Sequence, residues 1–241
     1  KLETFDEFMR VWKMYFKELI ITLENMFNYK NASMFDTDNP VFYSALMADC
    51  IEKGKDIDRA GSRYNRCFTT WISGQVNLAN ALASIKKNVY EDKNFTLDEL
   101  KEALEANFGY VNAMVTRKFS MVEQKLDDSK YARIHNLCLC APKFGNDDPY
   151  VDAIYKDVIE FWRDVTVQVQ TVFGHPWTAC QLSVATHGPL GQACIASADG
   201  RLAGLTLADG AQSPYPGTDL NGPYALLNSA TSFGHSDYQN T

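Results

Sequence analysis

The chain of 241 residues is short of most of the features that announce a function. Its six cysteines form no Cys-x-x-Cys pair, and none is followed by histidine at zinc-site spacing, so a zinc module is excluded. Its four histidines, at 135, 175, 187 and 235, are isolated from one another. There is no P-loop, no dinucleotide fingerprint and no nucleophile elbow. No apolar run has the length to span a bilayer. Lysine and arginine total 23 against 30 acidic residues, a net charge of -7, which leaves no electrostatic footprint for nucleic acid or an anionic membrane. There is no internal repeat or low-complexity tract. Without a basic-plus-apolar leader at the first residues, a reducing cytosol is the expected setting. The cysteines then read as small buried hydrophobes; Cys138 and Cys140, two apart on a helix, should point to different faces.

What is present is mostly helical periodicity. Thr4 and Glu7 are spaced as a capping box, and Phe5, Phe8, Val11, Trp12, Tyr15, Phe16, Leu19 and Leu23 follow at helical intervals, predicting a helix over 4–29. Asn31 to Pro40 is a polar break, and Phe42 to Glu52 reads as a second helix. Helices are also expected over 77–90, from Thr96 to about Phe108, and over 111–140 with a charged break at Asp127-Asp128. Another is expected from Tyr150 to about Val172, ended by His175-Pro176-Trp177. Asn146-Asp147-Asp148-Pro149 reads as turn and N-cap rather than as a metal site. Two stretches have strand character: 63–72, aromatic and β-branched, expected to be buried, and 181–187. Taken alone, these patterns describe a helix-rich mixed α/β fold.

Residues 183–229 are the most distinctive. They read SVATHGPLGQACIASADGRLAGLTLADGAQSPYPGTDLNGPYALLNS. Asp199-Gly200, Asp209-Gly210, Pro216-Gly217 and Asn221-Gly222-Pro223 are turn signals, but the runs between them are apolar. A flexible linker would be polar, so this segment must turn repeatedly beside something it packs on. Arg201, Asp199, Asp209 and Asp219 are read as stabilisers of those turns.

Asp199-Gly200-Arg201, Ala203-Gly204, Leu207-Ala208-Asp209-Gly210, Ser213-Pro214, Gly217, Asp219, Gly222-Pro223, Ala225, Leu227 and Ser229 also carry a resemblance. Further blocks agree: Asp49 to Asp56, Arg63-Tyr64-Asn65, Leu82 to Lys87, and Ala141 to Asp148. Together they cover almost the whole chain, which resembles the glycyl-radical enzymes of the pyruvate formate-lyase type, closer to the dehydratase, lyase and succinate-synthase branches than to pyruvate formate-lyase itself. The resemblance implies a barrel of two half-barrels surrounded by helices. Residues 1–241 would be one incomplete piece of that catalytic domain: 1–180 mostly helical with one buried strand, 181–241 a strand plus the Gly-rich loop region.

Such enzymes store a radical on a glycine in an R-V-x-G-Y-like motif and pass it to a cysteine, whose thiyl radical abstracts hydrogen from substrate in a site closed to water. This chain has no R-V-x-G-Y motif. Cys50-Ile51-Glu52 imitates the cysteine-x-glutamate pattern, but Asp49 to Asp56 matches a helical block that follows the catalytic loop in the family. The thiyl cysteine is therefore expected before Lys1 and the radical glycine after Thr241.

The resemblance implies radical cleavage of a C–O, C–N, C–S or C–C bond in a small molecule. Succinate-synthase or formate-acetyltransferase chemistry, and a non-catalytic interaction module, stand as alternatives. No cofactor is expected to bind directly. The implied partners are a small-molecule substrate, a separate radical S-adenosylmethionine activase that installs the radical, and a second copy in a homodimer. Arylacetate decarboxylases of the family imply a catalytic glutamate near the first strand; none stands between Tyr64 and Gln75, which argues against that chemistry.

Six residues are candidates for a substrate pocket. Arg66 offers a guanidinium to a substrate carboxylate or other oxyanion, or serves as a structural ion-pair partner. Phe68 and Trp71 would be apolar walls. Ser183, Ala185 and His187 would share one face of the second strand. His187 is read either as a general acid or hydrogen-bond donor, or more simply as an anchor for the Gly-rich turn.

Overall fold

The structure is a computed structural model that describes residues 2–34, 37, 40–63, 69–110, 129–181, 183 and 185–232. Its first helix starts where the capping box places it. Glu7 N donates to Thr4 Oγ1 over 3.2 Å, and Glu7 Oε2 accepts from the backbone of Glu3 and Thr4 at 2.8 and 3.2 Å. This helix, α1 (Phe5–Met34), continues past the polar residues expected to stop it. Asn28, Lys30 and Asn31 are polar but helix-compatible, and no proline or glycine intervenes before Pro40.

By packing, the chain forms two units that alternate along it. One comprises Lys1–Phe8, Ile72–Ile159 and Gln181–Thr241; the other comprises Met9–Trp71 and Glu160–Cys180. The change of sequence character at residue 180 is thus one of several points where the chain passes from one unit to the other.

The unit that holds the Gly-rich segment is organised around α4 (Gln75–Ile85), buried on nearly every side. It runs into a wider helical turn over Lys86–Glu91, so the helix predicted to Tyr90 is present with a changed pitch. Thr96 and Glu99 form the second capping box and start α5 (Leu97–Glu105). Residues 111–128 of the predicted 111–140 helix lie outside the described residues; the remainder is α6 (Ser129–Cys140). Phe95, Leu100, Phe108, Ile134, Cys138 and Leu202 close a core between α5, α6 and the Gly-rich segment. Cys138 is wholly buried and Cys140 exposed, as their spacing requires; Cys140 and Cys194, both exposed, depart from the reading of the cysteines as buried hydrophobes. After α6, Tyr150 N donates to Asp148 Oδ1 (2.9 Å) and α7 (Pro149–Thr166) begins. α7 ends six residues before the predicted Val172, where Thr171 N turns back to His175 O (2.7 Å).

In the other unit, the single helix predicted over Phe42–Glu52 is two short ones, α2 (Val41–Ala45) and α3 (Cys50–Lys53). Asp49 divides them: its φ is +75°, outside the helical range, and its carboxylate receives Arg63 at 2.8 Å. Two strands pair in parallel, β1 (Thr69–Trp71) and β2 (Thr178–Cys180), with Thr69 opposite Thr178 and Trp71 opposite Cys180.

Both strands differ from the sequence reading. Thr69 and Trp71 are exposed, so β1 is not buried. The described residues of 181–187 form no strand either: β2 comes three residues earlier, Ala185 and Thr186 form a turn, and His187 opens α8 (His187–Ala193). Pro189, in the first turn of α8, suits a helix start and not a strand centre. α9 (Gly222–Ala230) closes the described chain.

Candidate functional site

β1 exposes one face and half-buries the other. Thr70 points toward α1 and donates its hydroxyl to Glu24 Oε1 at 2.7 Å. By alternation Thr69 and Trp71 face the opposite way, Thr69 Oγ1 lying 3.4 Å from Thr178 Oγ1. A cavity of about 350 Å³ lies beside the strand, walled by Leu23, Phe27, Trp71 and Trp177, with Glu24 and Asn31 as polar lining. Glu24 is 1 % exposed, and burial raises its carboxyl to about 7 against the opposing pull of the Thr70 and Thr166 hydroxyls. The sequence reading missed Glu24. The signal was available: an acidic residue one turn after buried Ile20, on the face of α1 that also buries Met9.

Of the six candidates, Trp71 lines this cavity. Arg66 and Phe68 lie outside the described residues. Ser183, Ala185 and His187 belong to the other unit, where they do not share a strand face. Ser183 Oγ accepts from Ala211 N at 3.4 Å, Ala185 sits exposed in a turn, and His187 is half-buried at the head of α8. The His187 carbonyl accepts from Leu207 N at 3.2 Å, so its backbone ties α8 to the Gly-rich segment.

That segment is held by buried polar side chains. Arg201, 3 % exposed, donates to the carbonyls of Ile195, Leu202 and Leu205 and to Ser197 Oγ. Asp199 accepts from Ser197 Oγ and Arg201 N on one oxygen and from Asn77 Nδ2 on the other (2.7 Å). These two residues stabilise turns, as the sequence indicated. Lys143 sends its ammonium to the carbonyls of Cys138 and Ala141 at the end of α6 (2.7 and 2.9 Å), a cation at a helix C-terminus, although burial lowers its pKa. His135 stacks on Phe108 and has Nε2 2.8 Å from Gly200 O, while burial lowers its pKa. A neutral imidazole with Nε2–H as donor fits that pocket. Burial pushes the Cys138 thiol up to about 11, which makes it inert as a nucleophile. Cys50 is 3 % exposed at the start of α3. Among the described residues no cluster of three or more His, Cys, Asp or Glu side chains is placed to hold a metal ion, and no helix is long and apolar enough to cross a membrane.

A family model described as pyruvate formate lyase-like matches residues 1–191. The chain belongs to the pyruvate formate lyase-like family of glycyl radical enzymes. It is 40% identical over 242 residues to the 4-hydroxyphenylacetate decarboxylase glycyl radical subunit of Clostridioides difficile, an alignment that takes in all of this chain and 27% of that protein. It is 42% identical over 227 residues to the indoleacetate decarboxylase of Tractidigestivibacter scatoligenes, covering 93% of this chain and 25% of the relative. A solved structure from work on 1,2-propanediol dehydration in Roseburia inulinivorans superposes with a TM-score of 0.83 at 32% identity, over 98% of this chain and 28% of its own. This member of the pyruvate formate lyase-like family thus spans about a quarter of the length of these relatives. The two relatives at 40 and 42% identity are arylacetate decarboxylases, the branch that the missing glutamate near β1 argued against.

Proposed function

We propose that this chain is part of an anaerobic glycyl-radical lyase whose full-length form cleaves a C–C bond, releasing carbon dioxide from an arylacetate. The observation that carries the reading is the 40 and 42% identity to two arylacetate decarboxylases, sustained over nearly all of the chain, including β1 and most or all of the Gly-rich segment. It outweighs the lack of a glutamate between Tyr64 and Gln75, which concerns a single stretch. In this reading Trp71 gives an aromatic ring a flat apolar wall. Arg66 pairs with the substrate carboxylate, the group that leaves as carbon dioxide. His187 anchors the Gly-rich segment. The thiyl cysteine and the radical glycine stand outside these residues. A separate radical S-adenosylmethionine activase installs the radical, and the full-length enzyme works as a homodimer.

A second reading has support of its own: 33% identity to trans-4-hydroxy-L-proline dehydratase of Clostridioides difficile and the 0.83 TM-score above favour C–O cleavage with loss of water. One experiment separates the two. The full-length enzyme, activated anaerobically with its activase, is offered 4-hydroxyphenylacetate, indoleacetate, trans-4-hydroxy-L-proline and 1,2-propanediol. The decarboxylase reading expects carbon dioxide and a methylarene from an arylacetate. A dehydrated product from the diol or the hydroxyproline, with the arylacetates untouched, would replace it with the second reading.

A further inference from the structure

Glu24, Thr70 and Thr166 come from three different elements of one unit and meet at a single buried carboxyl. Glu24 is 1 % exposed and Thr166 fully buried. Glu24 Oε1 accepts from Thr70 Oγ1 at 2.7 Å. The Thr166 hydroxyl is near enough to favour the charged form of the carboxyl, yet neither Thr166 Oγ1 nor Glu24 Oε2 completes a well-formed hydrogen bond among the described residues. Thr70 is the middle residue of a three-residue strand, and the residue after it is Trp71, whose ring lines the cavity that Glu24 also lines.

A strand of three residues has few ladder hydrogen bonds to hold it in place. β1 pairs only with β2 among the described residues. Its one inward side chain is therefore a substantial part of what fixes its depth against α1. Leaving the half-buried Thr70 hydroxyl without its acceptor is unfavourable. A small shift of β1 along its own axis or away from α1 relieves that cost, and any such shift moves Trp71 with it.

We propose that Glu24 is a positioning residue for the substrate wall: from α1 it holds Thr70 in place and thereby sets where the Trp71 ring stands. The proposal rests on the reading of Trp71 as a wall of the substrate pocket. Glu24 takes no part in bond making or breaking. Losing it loosens the grip on substrate while the radical chemistry continues.

The test uses the full-length, activated enzyme with its arylacetate substrate, with kcat expressed per glycyl radical counted by electron paramagnetic resonance. Glu24→Leu removes the acceptor at similar volume; Glu24→Gln keeps an oxygen for Thr70. We expect KM to rise roughly tenfold in Glu24→Leu with kcat per radical within about twofold, and to return to within about threefold of the parent in Glu24→Gln. A residue that only stabilised the fold would lower the radical count and leave KM unchanged, and that result overturns the proposal. So does a Glu24→Gln enzyme as impaired as Glu24→Leu.

If the parent enzyme turns over no arylacetate, the reaction assigned above falls, and the tether is judged without turnover. The emission of Trp71, taken as the difference between each unactivated protein and its Trp71→Phe counterpart, should shift in Glu24→Leu and stay at the parent position in Glu24→Gln. Identical Trp71 emission in all three overturns the tether itself.

Discussion

Asn77, in the first turn of α4, donates its amide to Asp199 Oδ2 across 2.7 Å and accepts the Ala208 N–H on its own oxygen at 2.8 Å. One buried side chain thereby fastens two turns of the Gly-rich segment, 122 and 131 residues further along the chain. Asn77→Ala would leave an Asp199 oxygen and a backbone N–H unpaired in the interior. We expect a loss of about 2–4 kcal/mol, seen as a lower denaturation midpoint of the full-length enzyme. Asn77→Asp should do no better, because it keeps the Ala208 bond but sets a second carboxylate against Asp199.

Stability should fall as pH rises from about 4 to 7. Burial raises Glu24 to about 7 and, with the Asp148 and Asp147 charges adding and the Ser229 hydroxyl opposing, Asp152 to about 6. In the unfolded chain both titrate near 4. Between those values the folded chain holds protons that the unfolded chain has released, so the proton linkage disfavours the folded state progressively across the window and levels off above pH 7. The contribution is on the order of 3 kcal/mol for each group. The thermal midpoint of the full-length enzyme should be higher at pH 5 than at pH 8. Joining Glu24→Gln to Asp152→Asn should flatten that slope; an unchanged slope would assign it to other groups.

Two glycines of α8 should respond in opposite ways to alanine. A Cβ on Gly191 would run into the Leu205 carbonyl and approach Leu207 N to 2.8 Å, both backbone groups that cannot swing aside. Gly188 has nothing within 4 Å of the same position. Gly191→Ala is expected to cost about 3 kcal/mol or more and to reduce soluble yield. Gly188→Ala should be neutral or stabilising by up to about 1 kcal/mol, because alanine is the better helix former.

The pocket candidates make separate kinetic predictions. Arg66→Ala should raise KM for an anionic substrate by at least about tenfold, and an unchanged KM would remove Arg66 from substrate binding. His187→Gln should keep turnover within about threefold, because the contact to Leu207 N is made by the His187 carbonyl, which glutamine retains. A collapse of kcat with a shifted pH profile would instead make His187 an acid–base group.

The helices were legible in the sequence wherever caps and periodicity agreed. Thr4 with Glu7 and Thr96 with Glu99 fix two starts to the residue, and Asp148 marks the start of α7. Helix ends were less legible. Asn31 looked like a stop and was not, while Asp49 looked like helix interior but takes φ +75°, its carboxylate accepting from the Arg63 guanidinium. Residues 181–187 misled for a physical reason: Ser183, Ala185 and His187 have the period of a strand, but two residues of turn and a helix opening with His187-Gly188-Pro189 are equally compatible with those letters. Buried polar residues were read correctly when their partners were near in sequence, as with Asp199 and Arg201, whereas a distant partner was invisible even for Glu24, whose place on the buried face of α1 was legible. Asn77 and Glu24 find theirs 122 and 46 residues away. No local pattern encodes such a pair.

Thr69 and Thr178 stand side by side although 109 positions separate them, and the intervening residues 72–159 are packed in the other unit. During synthesis at about 5–20 residues per second, β1 leaves the ribosome roughly 5–20 seconds before β2 exists to pair with it. Through that interval the Trp71 strand has an open edge, and the unit it belongs to cannot finish until residues 72–159 of the other have been made. Slowing translation between codons 72 and 159 lengthens the exposure, so the output of soluble enzyme should depend on codon choice there and on chaperones that shield a waiting strand.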